Sequence, residues 1–343
     1  MRPRHRAWHR LLAPLTPLYR VAVAARIGAY HRGWLRSSRL PVPVISVGNL
    51  IFGGTGKTPT VIALVRDLVR RGRHPAVLTR GYGRAVDETV VLIGPEPGET
   101  FREAGDEPIE LAQRLPGVPI VVDADRARGG VEALSRGADV LVLDDGFQHL
   151  RLERDLDLVL VDAGDPWGGG RLPPRGRLRE PLSGLTRADA VLVTKVGPDP
   201  EPVLASVRRV VAEQGLEVPV LAARLEPTTI RRGHDQTGPE VLGGTPVFAV
   251  AGLARPGGFA DLLRTAGAEV VGTRWFADHH PFTGTEVEEA LAAAAALGAV
   301  VVTTAKDAVK MPSEAEVWVV EASMVPVEGS WDELFLLLPE GGS

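Results

Sequence analysis

The chain has 343 residues, contains no cysteine and carries a formal net charge of −4. Its length suits two domains, and the missing cysteine excludes disulfides, thiolate metal sites and a cysteine nucleophile. The charge is unevenly distributed, because the first 66 residues carry +11 and the remaining 277 carry −15. A basic arm on an acidic body predicts an anionic partner, either nucleic acid or a membrane. The acidic body argues against a broad nucleic-acid surface, so we expect no nucleic-acid partner.

Residues 1–40 form the basic arm and contain one apolar stripe at helical spacing. The stripe consists of Leu12, Leu15, Tyr19, Ala22, Val23, Ile27 and Tyr30. Because arginines are dense on both sides, the pattern predicts an amphipathic helix in a membrane interface, attracted to anionic headgroups. The alternative is a helix that packs on the protein's own core. Prolines and arginines interrupt the apolar run, so we predict no membrane-spanning segment.

Residues 41–225 form the first predicted domain and alternate between short apolar strands and helical patterns. A strand at 42–47 comes first, and a helix then begins at Thr58-Pro59 and ends near Gly72, as the proline and glycine positions indicate. Further strands are predicted at 75–79, 118–122, 138–143, 156–162 and 188–194, and helices at 107–115, 129–136 and 200–214. This alternation predicts an α/β fold with a mostly parallel sheet covered by helices.

Residues 226–343 form a second, smaller α/β domain, which follows a strand predicted at 218–223. The segment 227–245 is polar and rich in glycine, and it is predicted as a connection. Strands are then predicted at 246–251, 268–273, 299–303 and 316–321, and helices at 256–266, 285–297 and 331–338. We expect this domain to close an active-site cleft against the first one.

A glycine-rich loop between the first strand and the first helix predicts a nucleotide site. It consists of Gly53, Gly54, Thr55, Gly56, Lys57 and Thr58. Glycine lets backbone N–H groups approach a phosphate closely, and the helix start adds unpaired N–H groups. Lys57 can reach the β- and γ-phosphates, and Thr58 can bind Mg²⁺. The pattern favours a P-loop NTPase-like fold, although Ile51 stands where the strict motif has its first glycine.

Two adjacent carboxylates, Asp144 and Asp145, follow the apolar strand at 138–143. Ligands bind at the carboxyl ends of parallel strands, so this pair is expected to hold Mg²⁺ together with Thr58. The segment 194–197 reads Thr-Lys-Val-Gly, and Gly197 cannot supply the aspartate that guanine-reading loops generally have there. ATP is therefore the expected nucleotide.

Several segments together resemble the tetraacyldisaccharide 4'-kinases of lipid A biosynthesis. They are VGNLIFGGTGKTP (47–59), TRGYGR (79–84), GDEP (105–108), DDGFQH (144–149), LREPLSGL (178–185) and FADHH (276–280). They occur in the family's order and cover most of the chain. The resemblance implies transfer of the γ-phosphate of ATP to the 4'-hydroxyl of an acylated disaccharide 1-phosphate, at the cytoplasmic face of the bacterial inner membrane.

The resemblance also assigns residues. Asp106 matches the family's catalytic aspartate, and His279 matches the histidine that pairs with it across the cleft. The other positions that match the active site are Glu107, Arg126, Asp144, Asp145, His149 and Glu180, and Tyr82 falls in the RGYGR loop. A carboxylate that accepts the hydroxyl proton suits phosphoryl transfer, which depends mainly on positioning and charge stabilisation.

One alternative from another class remains open, a nucleotide-dependent switch or metal-delivery module built on the same loop. It predicts guanine specificity and no hydroxyl acceptor. Gly197 and the Asp106–His279 pair count against it.

Overall fold

One mixed sheet runs through the computed structural model, which describes residues 15–81, 88–94, 104–233, 235–253, 256–278, 280–312 and 314–339. Its strands are β1 (Val44–Asn49), β2 (Pro75–Thr79), β3 (Val90–Leu92), β4 (Ile120–Val122), β5 (Val140–Asp144), β6 (Leu156–Asp162), β7 (Ala190–Thr194), β8 (Val220–Arg232), β9 (Asp235–Thr237), β10 (Pro246–Gly252), β11 (Glu269–Phe276), β12 (Val300–Thr304) and β13 (Trp318–Glu328). Their order is β11-β10-β12-β13-β8-β7-β6-β1-β5-β2-β4-β3, with β9 beside β8.

Helices cover the sheet, as the alternation of patterns predicts. They are α1 (Leu15–His31), α2 (Lys57–Arg70), α3 (Asp106–Arg114), α4 (Arg126–Ser135), α5 (Glu201–Glu213), α6 (Gly257–Thr265), α7 (Gly284–Ala296), α8 (Ala305–Ala308) and α9 (Trp331–Phe335). Two 3₁₀ segments lie at Leu182–Arg187 and Pro239–Leu242. The predicted α/β class, the mostly parallel sheet and the amino-terminal helix are confirmed.

The central strands are apolar because helices cover both of their faces. Every residue of β1, β5 and β6 is buried, and β1 pairs in parallel with both of the others. Helix α2 packs its buried face, which includes Val61, Leu64 and Leu68, on this part of the sheet. The helix ends as predicted, with Gly72 just beyond it at a φ of 75°. These contacts place the glycine-rich loop at the carboxyl end of β1.

Two long strands differ from the prediction. The segment 227–232 was predicted as part of a connection, but β8 continues through it to Arg232 and pairs antiparallel with β13. Strand β13 likewise runs to Glu328, seven residues beyond the predicted end. The partner strand lies about a hundred residues away in sequence, so the polar segment by itself carries no alternating pattern that reveals the pairing. The short elements β3 and α8 were also not predicted.

A buried ionic cluster joins the two predicted domains along β13. Arg114, on α3, lies 3.2 Å from Glu110 Oε1 and 3.6 Å from Glu321 Oε2, and its side chain is 3 % exposed. Its Nη2 also donates to the backbone carbonyl of Ala322. Removing one member would leave a buried charge without its partner, which is strongly destabilising. The division of the chain after residue 225 stays a prediction, since the sheet itself is continuous there.

The amino-terminal helix presents a different face to solvent from the one the sequence suggests. Tyr19, a member of the predicted stripe, packs on the protein and donates to the backbone carbonyl of Arg179 at 2.7 Å. The large apolar side chains that are exposed on α1 are Leu18 at 67 % and Val21 at 63 %. Leu12 lies outside the described residues. Within the described ranges, no helix is both long enough and apolar enough to cross a bilayer.

Strand β1 approaches the segment after β5 closely at Gly48, and a substitution there tests this contact. A Cβ at position 48 would lie 2.5 Å from Phe147 Cβ and 2.7 Å from the Phe147 backbone nitrogen. Overpacking of this kind costs about 1–3 kcal/mol, so Gly48→Ala should lower the free energy of unfolding by an amount in this range. Urea denaturation measures it, and Gly284→Ala is the control because nothing lies within 4 Å of its added Cβ. Equal stability of the two variants would contradict the close approach.

Candidate active site

The glycine-rich loop has the backbone shape that a phosphate site needs. Gly53 and Gly56 have φ values of 122° and 83°, which residues with a Cβ rarely adopt. Gly56 is the residue before α2, so the free N–H groups of the helix start face the loop. Lys57 is the first residue of that helix and Thr58 the second. The loop therefore presents backbone donors, an ammonium group and a hydroxyl at one end of β1.

Ile51, the departure from the strict motif, belongs to the core. It is 3 % exposed and packs with Leu50 and Leu178, and its backbone forms a bridge with Leu178. The Phe52 backbone N–H donates to the Arg177 carbonyl at 2.7 Å. The chain thus continues as an extended segment past the end of β1, and the loop begins at residue 52.

Side chains from neighbouring strands hold the loop in place. Asn49 donates to the Thr55 hydroxyl, and Thr194 donates to the Thr55 carbonyl, both at 2.8 Å. Lys195 donates to the Gly54 carbonyl and, at 2.8 Å, to Asp162. These contacts fix the loop before any phosphate arrives, which reduces the ordering that binding requires.

Asp145 is shared by two cations. Lys57 Nζ lies 3.6 Å from its Oδ1, and Arg179 Nη1 lies 2.8 Å from its Oδ2. Burial alone would raise the pKa of Asp145, but the charges of Lys57 and Arg179 outweigh burial and the net pKa is lowered. Asp145 is therefore an ionised carboxylate that holds Lys57 beside the phosphate loop.

Asp144, its neighbour, has the opposite surroundings. It ends β5 and is 3 % exposed. Burial, and after it the charges of Glu107 and Asp145, raises the pKa of Asp144 to about 7. Its Oδ1 is buried and has no hydrogen-bond partner among the described residues. A buried carboxylate with an unused oxygen and too little positive charge around it suits a cation.

The residues present fit Mg²⁺ in the way that nucleotide sites use it. The described part of the chain contains no group of three or more His, Asp or Glu side chains that could hold a metal by themselves. Magnesium in phosphate sites needs only one or two carboxylates, because the substrate phosphates and water complete its shell. Asp144 and the Thr58 hydroxyl would supply the protein ligands. Asp145 was also predicted as a ligand, but its contacts are with Lys57 and Arg179.

Arg126 is close enough to both Asp144 and His149 for its charge to act on them. Burial lowers the pKa of Arg126 to about 10 against the opposing charge of Asp144, so the guanidinium stays charged at neutral pH. Burial, followed by the charge of Arg126, lowers the pKa of His149 to about 4. The imidazole of His149 is therefore neutral, and its Nε2 is buried with no partner in the described part of the chain.

Asp106 is the first residue of α3 and is 9 % exposed. Its Oδ1 accepts a hydrogen bond from the Glu107 backbone N–H at 3.1 Å. Glu107 is close enough to Asp144 for its charge to act on that carboxylate. The start of α3 thus faces the end of β5, as the resemblance requires. His279 and Tyr82, the remaining predicted residues of the reaction centre, lie outside the described residues.

His280 is engaged in the second half of the chain. Its Nε2 lies 3.0 Å from Glu286 Oε2, and its ring stacks on Phe276 with centroids 4.5 Å apart. These contacts give His280 a local partner, and the assignment of His279 to the reaction centre stays a prediction.

Glu180 lies away from the phosphate loop. It is 1 % exposed, and both of its oxygens accept from Arg187 Nη2 at 2.9 Å. Gln148 donates to it at 2.8 Å and also to the Asn49 carbonyl. Glu180 therefore orders the segment that follows Arg179 and is joined to the end of β1 through Gln148.

Sequence reasoning missed three cations of the site. Arg179 lies within the LREPLSGL motif (178–185). Lys195 lies within the segment 194–197, which corresponds in position to a guanine-reading loop. Lys306 lies two residues after the carboxyl end of β12 at Thr304, which is the signal that could have identified it.

Substitution of Asp144 and of Asp145 should change the stability of the protein without nucleotide or magnesium in opposite directions. The pKa of Asp144 rises from 3.8 to about 7 on folding, so its ionisation costs nothing below pH 3.8, an increasing amount up to about pH 7, and the full amount above it. Asp144→Asn should raise the free energy of unfolding at pH 8, by up to roughly 4 kcal/mol, and by less at pH 5.

Asp145→Asn should have the opposite effect, because its lowered pKa contributes stability above the ordinary range of that pKa. Urea denaturation of both variants at pH 5 and pH 8 measures the difference. Loss of stability in Asp144→Asn at pH 8 would show that Asp144 has a counter-charge that its surroundings do not reveal.

Comparisons with known proteins identify the family of the chain. The family model for tetraacyldisaccharide-1-P 4'-kinase matches residues 8–337. A tetraacyldisaccharide 4'-kinase of Anaeromyxobacter sp. (strain Fw109-5) is 48 % identical over 308 residues, which cover 88 % of this chain and 83 % of the relative. The relative from Geobacter metallireducens is 40 % identical over 316 residues, 88 % of each chain.

A crystal structure of LpxK from Aquifex aeolicus in complex with ATP superposes with a TM-score of 0.77 and 30 % identity. The match covers 97 % of this chain and all of that one. Both the sequence and the fold therefore show that the chain belongs to the tetraacyldisaccharide-1-P 4'-kinase family.

Proposed function

We propose that this chain transfers the γ-phosphate of ATP to the 4'-hydroxyl of an acylated disaccharide 1-phosphate in lipid A biosynthesis. The observation that supports this most directly is the juxtaposition of the phosphate loop, the buried Asp144 and the start of α3, which carries Asp106. A phosphate site alone suits many proteins. A second carboxylate group facing it, on a separate element, suits a reaction in which a hydroxyl must lose its proton.

The roles follow from position. Lys57 and the loop N–H groups would bind the β- and γ-phosphates, and Arg126 adds a charge that persists at neutral pH. Bound Mg²⁺ supplies charge stabilisation at the transferring phosphate. Asp106 would accept the proton of the 4'-hydroxyl, and His279 would hold Asp106 in place. The neutral imidazole of His149 adds no charge next to Arg126, which leaves the guanidinium available to the phosphates.

The acceptor would approach along the segment that follows Arg179. A cavity of about 380 Å³ lies between α1 and this segment, and its lining includes Ile27, His31, Arg32, Pro181 and Arg187. Apolar and cationic side chains together suit a lipid that carries acyl chains and a phosphate. Arg179 joins the cavity to the site, because it contacts Asp145 while Pro181, two residues further along the chain, lines the cavity.

Helix α1 would bring the enzyme to the membrane that contains this lipid. Leu18 and Val21 are exposed on it, and Trp34 and Leu35 follow at 76 % and 44 % exposure. Five arginines and no acidic residue lie between residues 15 and 40. This combination suits an anionic membrane interface. The cytoplasmic face of the bacterial inner membrane is the expected location, since that is where ATP and a membrane lipid meet.

The reaction is tested by transfer of ³²P from [γ-³²P]ATP to purified tetraacyldisaccharide 1-phosphate, with the product mapped to its hydroxyl. Lys57→Ala should lower turnover by about 10²-fold or more, because it removes a charge from the developing transition state. Arg136→Ala is the control, since it removes a cation from an exposed helical ion pair far from the loop. Ready hydrolysis of GTP without any labelled sugar would favour the nucleotide-switch alternative instead.

Membrane binding is tested by the double variant Leu18→Ser, Val21→Ser on vesicles of anionic and zwitterionic lipid. Loss of two exposed apolar side chains should weaken partitioning by about fivefold or more, while ATP binding stays unchanged. The matched control is Val69→Ser, Val131→Ser, which removes two valines that are 47 % and 60 % exposed elsewhere. Equal partitioning of the two double variants would assign α1 a purely structural role.

A further inference from the structure

Lys306 belongs to a short helix that the second half of the chain places against the reaction centre. Helix α8 follows β12 and packs on α3, whose first residue is Asp106. The Thr304 hydroxyl accepts from the Asp307 backbone N–H at 3.1 Å and so caps the start of α8. The motif Thr-Thr-Ala-Lys-Asp at 303–307 therefore ends a strand at the point where the two halves of the chain meet.

The orientation of α8 is fixed by Asp307. This residue is fully buried, and its carboxylate accepts from the Gly252 backbone N–H at 2.9 Å and from Lys310 Nζ at 2.7 Å. Gly252 in turn lies so close to the next segment that a Cβ there would be 2.9 Å from the Ala277 carbonyl oxygen. The end of β10, the segment through Asp278 and α8 consequently form one packed unit.

Lys306 extends from that unit toward carboxylates of both halves. Its Nζ donates to Asp278 Oδ1 at 2.8 Å, and its side chain is 21 % exposed. Burial lowers the pKa of Lys306, but the hydrogen bond to Asp278 and the charges of Asp278, Glu107 and Asp106 outweigh it, so the net pKa is raised. Glu110, also on α3, is another carboxylate on which the charge of this ammonium acts.

The carboxylates near Lys306 repel one another, and a cation between them reduces that repulsion. Asp106 and Glu107 start α3, Asp278 belongs to the other half, and the charges of all three act on Lys306. Neighbouring carboxylates of like charge destabilise one another, and partial burial strengthens this repulsion. An exposed ion pair would contribute little, but this ammonium is largely buried and lies between the two halves of the reaction centre.

We propose that Lys306 is a positioning residue for phosphoryl transfer. Its ammonium offsets the repulsion among Asp106, Glu107 and Asp278, and it thereby holds residues 276–278 against the start of α3. This inference rests on the proposed role of Asp106 as the proton acceptor. Because its hydrogen bond is to Asp278 and the charges of Glu107 and Asp106 act on it, its effect is expected on the geometry around Asp106.

Replacement of Lys306 should affect turnover and spare nucleotide binding. Lys306→Met should lower kcat about 10²-fold, because a misplacement of about 1 Å can cost that much, while the KM for ATP changes less than about twofold. Lys306→Arg keeps the charge and should recover most of the loss. The acidic limb of the rate profile should move to higher pH in Lys306→Met, since carboxylates without a nearby cation are protonated more readily.

A charge-balance variant separates this role from a merely structural one. Adding Asp278→Asn to Lys306→Met removes one of the three opposed carboxylates, so the double variant should turn over faster than Lys306→Met alone. Arg264→Met is the control, because it breaks an exposed ion pair with Asp261 in the same half of the chain. Lys306→Gln has a polar but uncharged side chain. It replaces Lys306→Met in this comparison if the methionine variant folds poorly.

The outcomes distinguish this inference from the proposed function. If the wild-type enzyme labels no disaccharide, the proposed function fails. If the wild type is active and Asp106→Asn is not, but Lys306→Met and Lys306→Gln both keep their kcat, the role of Lys306 is wrong and the proposed function stands. A further loss on adding Asp278→Asn would also overturn the inference, because it would show that Asp278 acts independently of the lysine.

Discussion

The shared ion pair of Asp145 connects the two ends of the proposed reaction. On one side it holds Lys57 of the phosphate loop, and on the other it holds Arg179, which starts the segment that borders the cavity under α1. A carboxylate that binds two cations in a partly buried setting is strongly constrained. Since Arg179 also faces Gln148, the nucleotide loop and the acceptor side share one polar network.

Two neighbouring aspartates can have opposite properties because the strand ends between them. Asp144 is the last residue of β5, directed into the covered sheet, whereas Asp145 takes a left-handed conformation with a φ of 53° and turns toward Lys57 and Arg179. The strained conformation is one that aspartate tolerates better than most residues. The neighbouring carboxylates thus differ, because burial outweighs the positive charge around Asp144 while Lys57 and Arg179 outweigh burial at Asp145, and Asp144 is the one that suits a metal.

The sequence predicts those parts of the site that depend on local pattern. The loop at 53–58, the pair Asp144 and Asp145 and the start of α3 are each encoded by a few adjacent residues, and the structure brings them together at the carboxyl ends of β1 and β5. The pairing of β8 with β13, the contact of Lys306 with Asp278 and the face that α1 turns to solvent were not predictable in this way. Each depends on residues distant in sequence, and helical spacing alone does not say which side of a helix packs on the protein.

Strand β13 gives the second half of the chain a direct contact with the phosphate loop. A Cβ at Gly56 would lie 2.3 Å from Met324 Cε, so the side chain of a β13 residue fills the space beside the last glycine of the loop. The same strand carries Glu321, which pairs with Arg114 at the end of α3, the helix that Asp106 begins. Because a packed core transmits displacement rather than absorbing it, any movement of β13 would reach both the loop and α3. The sheet that connects the two halves therefore also sets the relation between the nucleotide and the proton acceptor.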